Sequence, residues 1–194
     1  MIGAHMKAKS SASSSIYTLR VELERIEPLI WRRILVPTLI TLPKLHDVLQ
    51  AAMGWTDSHL HNFDIGGKQY GMAEEAEELE LIDEKGVRLQ HALGDSIREF
   101  SYQYDFGDSW DHHIVVESKA RAKPDWPYPL CVGGERACPP EDVGGDYGYQ
   151  EFLEAIRNPK HEEHDSWLLW AGGFFDPEGF DANAVNYRLR GLRI

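Results

Sequence analysis

Cysteine is nearly missing, with two in 194 residues. A disulfide framework therefore does not hold this fold together. No apolar run reaches the roughly 20 residues that a membrane-crossing helix needs, and the N-terminus lacks the apolar centre of a signal peptide. Positive charge is also scarce. Twenty Lys and Arg face 32 Asp and Glu, a formal net charge of −12. That balance repels phosphate backbones and argues against broad nonspecific nucleic-acid binding. Arg188, Arg190 and Arg193 form a local basic exception at the C-terminal end. Catalytic signatures are missing too: there is no G-x-S-x-G elbow, no phosphate-binding loop with its lysine, and His161-Glu-Glu-His164 lacks the H-E-x-x-H spacing of zinc proteases. A cytoplasmic protein without a membrane association is expected.

What is present suffices for one buried core. Hydrophobic residues make up 42% and charged residues 27%, near globular averages. Residues 1–15 are small, polar and serine-rich, a disordered tail by composition. Within it Gly3-Ala4-His5-Met6 has the look of a cloning scar, so His5 is set aside. Residues 16–194 read as a single α+β domain, one antiparallel or mixed sheet packed with helices, with a β-grasp-like core and a C-terminal helical part.

Tyr17, Leu19, Val21 and Leu23 alternate with polar residues, the period of a half-buried strand. A second strand is expected from Ile30 to Val36. Thr41-Leu42-Pro43 offers a helix cap and an early proline, and Gly54 a stop. Leu60 to Tyr70 reads as one strand, broken or bulged at Gly66-Gly67. Ala73 to Glu84 reads as a solvated acidic stretch, with a mobile lid as the alternative. Two strands, Glu99 to Phe106 and Trp110 to Glu117, should form a hairpin whose Gly107-Asp108 turn needs positive φ at its first central residue. Helices are expected after Tyr149, near Glu162 to Trp170, and from Asp181 with Ala184, Val185 and Leu189 inward.

Chemistry concentrates in two stretches, Tyr104 to Glu117 and Cys138 to Tyr149, each dense in acids, glycines and aromatics. Asp105, Asp108 and His112 could form an acid/base cluster around the hairpin turn, and Glu141 and Asp142 add carboxylates from the second stretch. Against this, Asp108 can simply make the turn while Asp105 pairs locally. Cys131, Cys138, His161 and His164 raise a zinc site, although six residues separate the cysteines where two to four are usual. His59, His61 and Asp64 offer a nitrogen and oxygen ligand set for a divalent metal, or a polar strand face. Trp167, Trp170, Phe174, Phe175 and Phe180 read as core, with a peptide or base-stacking groove as the alternative.

Five motifs in order, Ile30-Trp-Arg-Arg33, Gly54-Trp55, Tyr104-Asp-Phe-Gly-Asp-Ser-Trp110, Cys138-Pro-Pro-Glu-Asp-Val-Gly-Gly145 and Gly173-Phe-Phe-Asp-Pro177, resemble the plasmid pRiA4b ORF-3-like family. The resemblance runs from about Tyr17 to Arg190. It implies a largely uncharacterised protein, some of whose relatives carry a resolvase label through mobile elements. Resolvase chemistry does not suit these residues, since Ser109 sits among Asp105, Asp108 and Asp111 rather than arginines. The expectation is a binding or accessory module with a polar groove built from the 104–112 hairpin and the 138–146 loop, its partner a protein, peptide or small ligand. The alternatives are a small metal-assisted hydrolase and, from family labels alone, a DNA-associated accessory protein of mobile elements.

Overall fold

The computed structural model describes residues 15–73 and 80–194. The acidic interval 74–79 lies outside the described residues. Eight strands form one mixed sheet: β1 (Ser15–Leu23), β2 (Ile30–Pro37), β3 (His61–Ile65), β4 (Lys68–Gly71), β5 (Ile82–Asp83), β6 (Glu99–Tyr104), β7 (Trp110–Arg121) and β8 (Leu130–Glu135). Their spatial order is β5-β4-β3-β6-β7-β1-β2-β8. Every neighbouring pair is antiparallel except β4 and β5. Five helices accompany it among the described residues: α1 (Leu42–Met53), α2 (Leu89–Leu93), α3 (Gly145–Arg157), α4 (His164–Trp170) and α5 (Ala182–Arg190). The α+β expectation holds.

The strand alternation read from the sequence has a physical counterpart. Leu19, Val21 and Leu23 of β1 are fully buried, as are Ile30 and Ile34 of β2 and Ile114 of β7. Each such side chain contributes about 1.5–3 kcal/mol by leaving water. Arg20, Glu22, Arg33, His113 and Glu117 alternate with them on the open face, the usual division of an antiparallel sheet covered on one side. In α1, Leu42, Leu45, Val48, Leu49 and Ala52 turn to the core. Its end is fixed by Gly54 at φ 98°, whose N–H returns to the Gln50 carbonyl.

Two buried arginines tie the helical side to the sheet without carboxylate help in one case. Arg32 donates to the carbonyls of Ala52, Trp31, Glu135 and Arg136, and its guanidinium lies 4.8 Å from the Phe180 ring centroid. Arg136 donates to Glu178 and to the Pro28 carbonyl.

Several local expectations need correction. Gly66 and Gly67 both have positive φ and join β3 to β4 as a two-residue hairpin, so of the two readings of 60–70 the break holds and the bulge does not. Thr41 stands at the N-cap position of α1 but its side chain makes no cap hydrogen bond. Its backbone bridges Arg88 instead. Between β6 and β7 the positive φ values fall on Asp105 and Ser109, not on Gly107, so the connection is a five-residue loop. Glu84 is buried against His61 rather than solvated. Ala184 faces outward, while Val185 and Leu189 are buried. The late aromatics divide: Phe152 meets Trp167 and Phe175 at 5.5 and 5.1 Å, whereas Phe174 is 78% exposed.

Candidate functional site

Pairing of β3 with β6 sets His61 opposite Tyr104. It therefore brings the segment before β3 alongside the loop after β6, and Asp105 N–H donates to the Leu60 carbonyl at 2.9 Å. Asp105 then enters the left-handed region at φ 59°. Its Oδ1 accepts from the amides of Gly107 (2.9 Å) and Asp108 (3.2 Å), organising the turn. Its Oδ2 faces His59 Nε2 at 3.6 Å, and the Asp105 side chain is only 9% exposed.

The 138–146 loop is pinned to this hairpin. Trp55 Nε1 donates to the Pro139 carbonyl at 2.9 Å. Glu141 accepts from the Thr56 amide at 3.0 Å, from the Thr56 hydroxyl and from the Tyr104 hydroxyl. Burial pushes the Glu141 carboxyl up, yet these hydrogen bonds outweigh it and the group titrates below its ordinary value. Asp108 Oδ2 accepts from the Gly144 amide at 3.1 Å. Gly145 must be glycine here, because φ is +69° and a Cβ would stand 2.7 Å from the Asp108 carbonyl oxygen. The structure thus brings the hairpin turn and the Cys138 to Gly145 loop together.

Asp142, also left-handed at φ 59°, places Oδ1 3.0 Å from His59 Nε2. The nitrogen is close to both carboxylates but aligned with neither, so it is buried with no hydrogen-bond partner. Among the described residues, His59, Asp105 and Asp142 are the group of three metal-ligating side chains whose donor atoms lie within 4.8 Å of one another. His59 had been grouped in the sequence with His61 and Asp64; the structure groups it instead with Asp105 and Asp142. Asp64 accepts from the Gly67 amide in the β3–β4 turn.

His61 belongs to a buried polar layer behind the site. Its ring stacks on His46 at 3.6 Å and 10°, and its Nε2 is 3.2 Å from both oxygens of Glu84. Gln50 Nε2 donates to the Tyr102 hydroxyl at 3.0 Å, so the Tyr102 proton goes to His46 Nδ1 at 2.8 Å. His46 Nε2–H is then left to donate to Asp57 at 2.8 Å. Burial, and next the neighbouring His61, hold His46 below its ordinary pKa.

The remaining sequence candidates are scattered. His112 is fully buried, with Nδ1 3.0 Å from the Trp110 carbonyl and the ring edge-on to Trp55. It faces the core because β7 begins at Trp110 and the second residue along points inward, away from the turn carboxylates. Burial lowers its pKa to about 4. Cys131 Sγ contacts the Gly133 carbonyl, whereas Cys138 Sγ lies 3.2 Å from Met53 Sδ. Burial raises both thiols. His164 Nδ1 is 2.9 Å from the Ala155 carbonyl and His161 Nδ1 accepts from the Glu163 amide. These four do not converge.

Beside Asp142 opens a groove of about 480 Å³, lined by Trp55, Pro139, Pro140, Trp170 and Phe175 together with Glu141 and Asp142. No lysine or arginine lines it. Sequence reasoning found the two loops but missed His59 as the residue between them.

Residues 15–184 match the plasmid pRiA4b ORF-3-like protein family. The chain belongs to that family. It is 42% identical over 175 residues to the uncharacterized protein y4hQ of Sinorhizobium fredii, spanning 90% of this chain and 88% of that one. Its fold is that of MM3350 from Methanosarcina mazei Go1, a protein of unknown function solved by crystallography. That likeness has a TM-score of 0.81 at 38% identity and covers 88% of this chain and 97% of the other. Among the described residues, no helix is long and apolar enough to cross a membrane.

Proposed function

We propose that this member of the pRiA4b ORF-3-like family is a binding module. Its ligand lays an apolar body along Trp55, Pro140, Trp170 and Phe175 and turns a polar end to the Glu141–Asp142 corner. The observation that carries this reading is the groove itself: Trp55, Pro140, Trp170 and Phe175 share a largely polar lining with Glu141 and Asp142, and no lysine or arginine joins them, a mix of surfaces that bind and groups that orient. Trp170 is 46% exposed at its rim, available to a ligand at little cost in repacking. A hydrolytic reading is weaker. His112 is sealed from solvent, and both oxygens of Glu141 are engaged by Tyr104 and Thr56, which leaves neither free as a general base.

Amide chemical-shift mapping with small aromatic amines and aromatic carboxylates tests the proposal. Shifts should cluster on Trp55, Glu141, Asp142 and Trp170–Phe175 and vanish in Trp170→Ala with the fold retained. Shifts confined to other faces, or none with either class, would overturn it.

A further inference from the structure

We propose that His59, Asp105 and Asp142 form a divalent-metal site that adjoins the groove through Asp142. The donor set is one imidazole nitrogen and two carboxylate oxygens, with His59 Nε2 3.0 Å from Asp142 and 3.6 Å from Asp105. Bonds of about 2.0–2.2 Å to a tetrahedral or octahedral ion put neighbouring ligand atoms roughly 3 Å apart, close to the two His59 separations, and all three donor atoms lie within 4.8 Å of one another, so a small closure around an ion completes the set.

Two further observations point the same way. His59 Nε2 is buried without a hydrogen bond, an arrangement that leaves a lone pair or an N–H unsatisfied unless something sits before it. Asp105 is nine-tenths buried, has one oxygen committed to its own turn, and aims the other at His59 without a hydrogen-bond donor. Asp142, 69% exposed, leaves an entry path from solvent. Both aspartates hold left-handed backbone, a conformation uncommon outside glycine that tends to gather at functional sites. The fourth carboxylate, Glu141, is not needed as a ligand. It braces Thr56 and Tyr104, which flank His59 on the two segments that carry the site.

Mixed imidazole and carboxylate ligands favour Zn²⁺ or Mn²⁺ over Mg²⁺ and Ca²⁺, which prefer all-oxygen shells. Three protein ligands leave at least one position open, and Asp142 is common to this cluster and to the groove lining. A ligand of the groove would then meet the ion through a carboxylate or another lone-pair donor, whereas the ion-free corner would favour an amine.

Calorimetric titration of Zn²⁺ and of Mn²⁺ into the chelator-treated full chain tests the site. One ion per chain is expected, with affinity reduced at least about tenfold in His59→Ala and in Asp142→Asn. Cys138→Ser and His161→Ala/His164→Ala should bind as the parent does. Asp142 is exposed, so its variant reports on the ion even where His59→Ala disturbs packing. Uptake of neither ion, or undiminished uptake by Asp142→Asn, would overturn the proposal. The groove reading stands or falls separately, on the shifts at Trp170 and Phe175.

Discussion

The carboxamide of Asn186 clasps the backbone of Cys131 from both sides. Its Oδ1 accepts from the Cys131 amide at 2.7 Å, and its Nδ2 donates to the Cys131 carbonyl at 2.8 Å. Cys131 lies on β8, the last strand of the sheet, and a neighbouring strand would offer it the same two bonds. Helix α5 thus occupies part of an edge that would otherwise be open to another chain.

Replacing Asn186 with leucine should expose that edge and leave a buried amide and carbonyl unmet. A loss of about 1–3 kcal/mol is expected, together with concentration-dependent association in light scattering. An unchanged melting temperature and a monomeric profile would show that the clasp holds nothing.

Arg32 should tolerate no substitute. Its fan of bonds to four carbonyls requires a planar, five-donor head, which lysine lacks. Denaturant melts of Arg32→Lys and Arg32→Met should both show losses of about 3 kcal/mol or more, since each orphans buried carbonyls. Full rescue by lysine would mean that charge alone matters there.

Stability should fall on acidification through His112. Its folded pKa, about 4, lies below the ordinary 6.5, so the unfolded chain binds the proton more readily. The contribution is fully present above pH 6.5 and is lost as pH falls from there toward 4, up to about 3 kcal/mol. Melts of the parent and His112→Leu between pH 7 and 4 should diverge in slope. Parallel curves would contradict the assignment.

Asp108→Ala should act on the fold rather than on the ion. It removes the acceptor for the Gly144 amide, an exposed link worth about 1 kcal/mol. A lower melting temperature with Zn²⁺ or Mn²⁺ uptake retained is expected. Lost uptake at an unchanged melting temperature would move Asp108 into the ligand shell.

Much of the fold was legible because its signals are local. The alternation of Tyr17, Leu19, Val21 and Leu23, the run from Leu42 to Gly54 and the helix start near Asp181, whose side chain accepts from the Asn183 amide, each depend on residues close in sequence. Gly66-Gly67 left break and bulge both open because a glycine pair suits a bulge as readily as a primed turn, and only partner strands decide between them. The site was half legible. Asp105 and Asp142 lie in the two stretches of dense polarity, but nothing local links either to His59. That link comes from the β3–β6 register and from the bonds holding the 138–146 loop to the hairpin. The cysteines and late histidines drew a zinc expectation by residue type, while their neighbours in space had already engaged them.

The sheet order carries a consequence for synthesis. β1 is an interior strand, flanked by β2 and β7, and its far partner lies about 100 residues downstream, where the Ser118 and Thr18 hydroxyls meet. On the ribosome, β1 and β2 can pair at once, yet both edges of that hairpin must wait, one for β7 and one for β8, until most of the chain has emerged. Long-range pairing of this kind is slow. The nascent N-terminal half therefore carries unpaired strand edges until the later strands arrive to cover them.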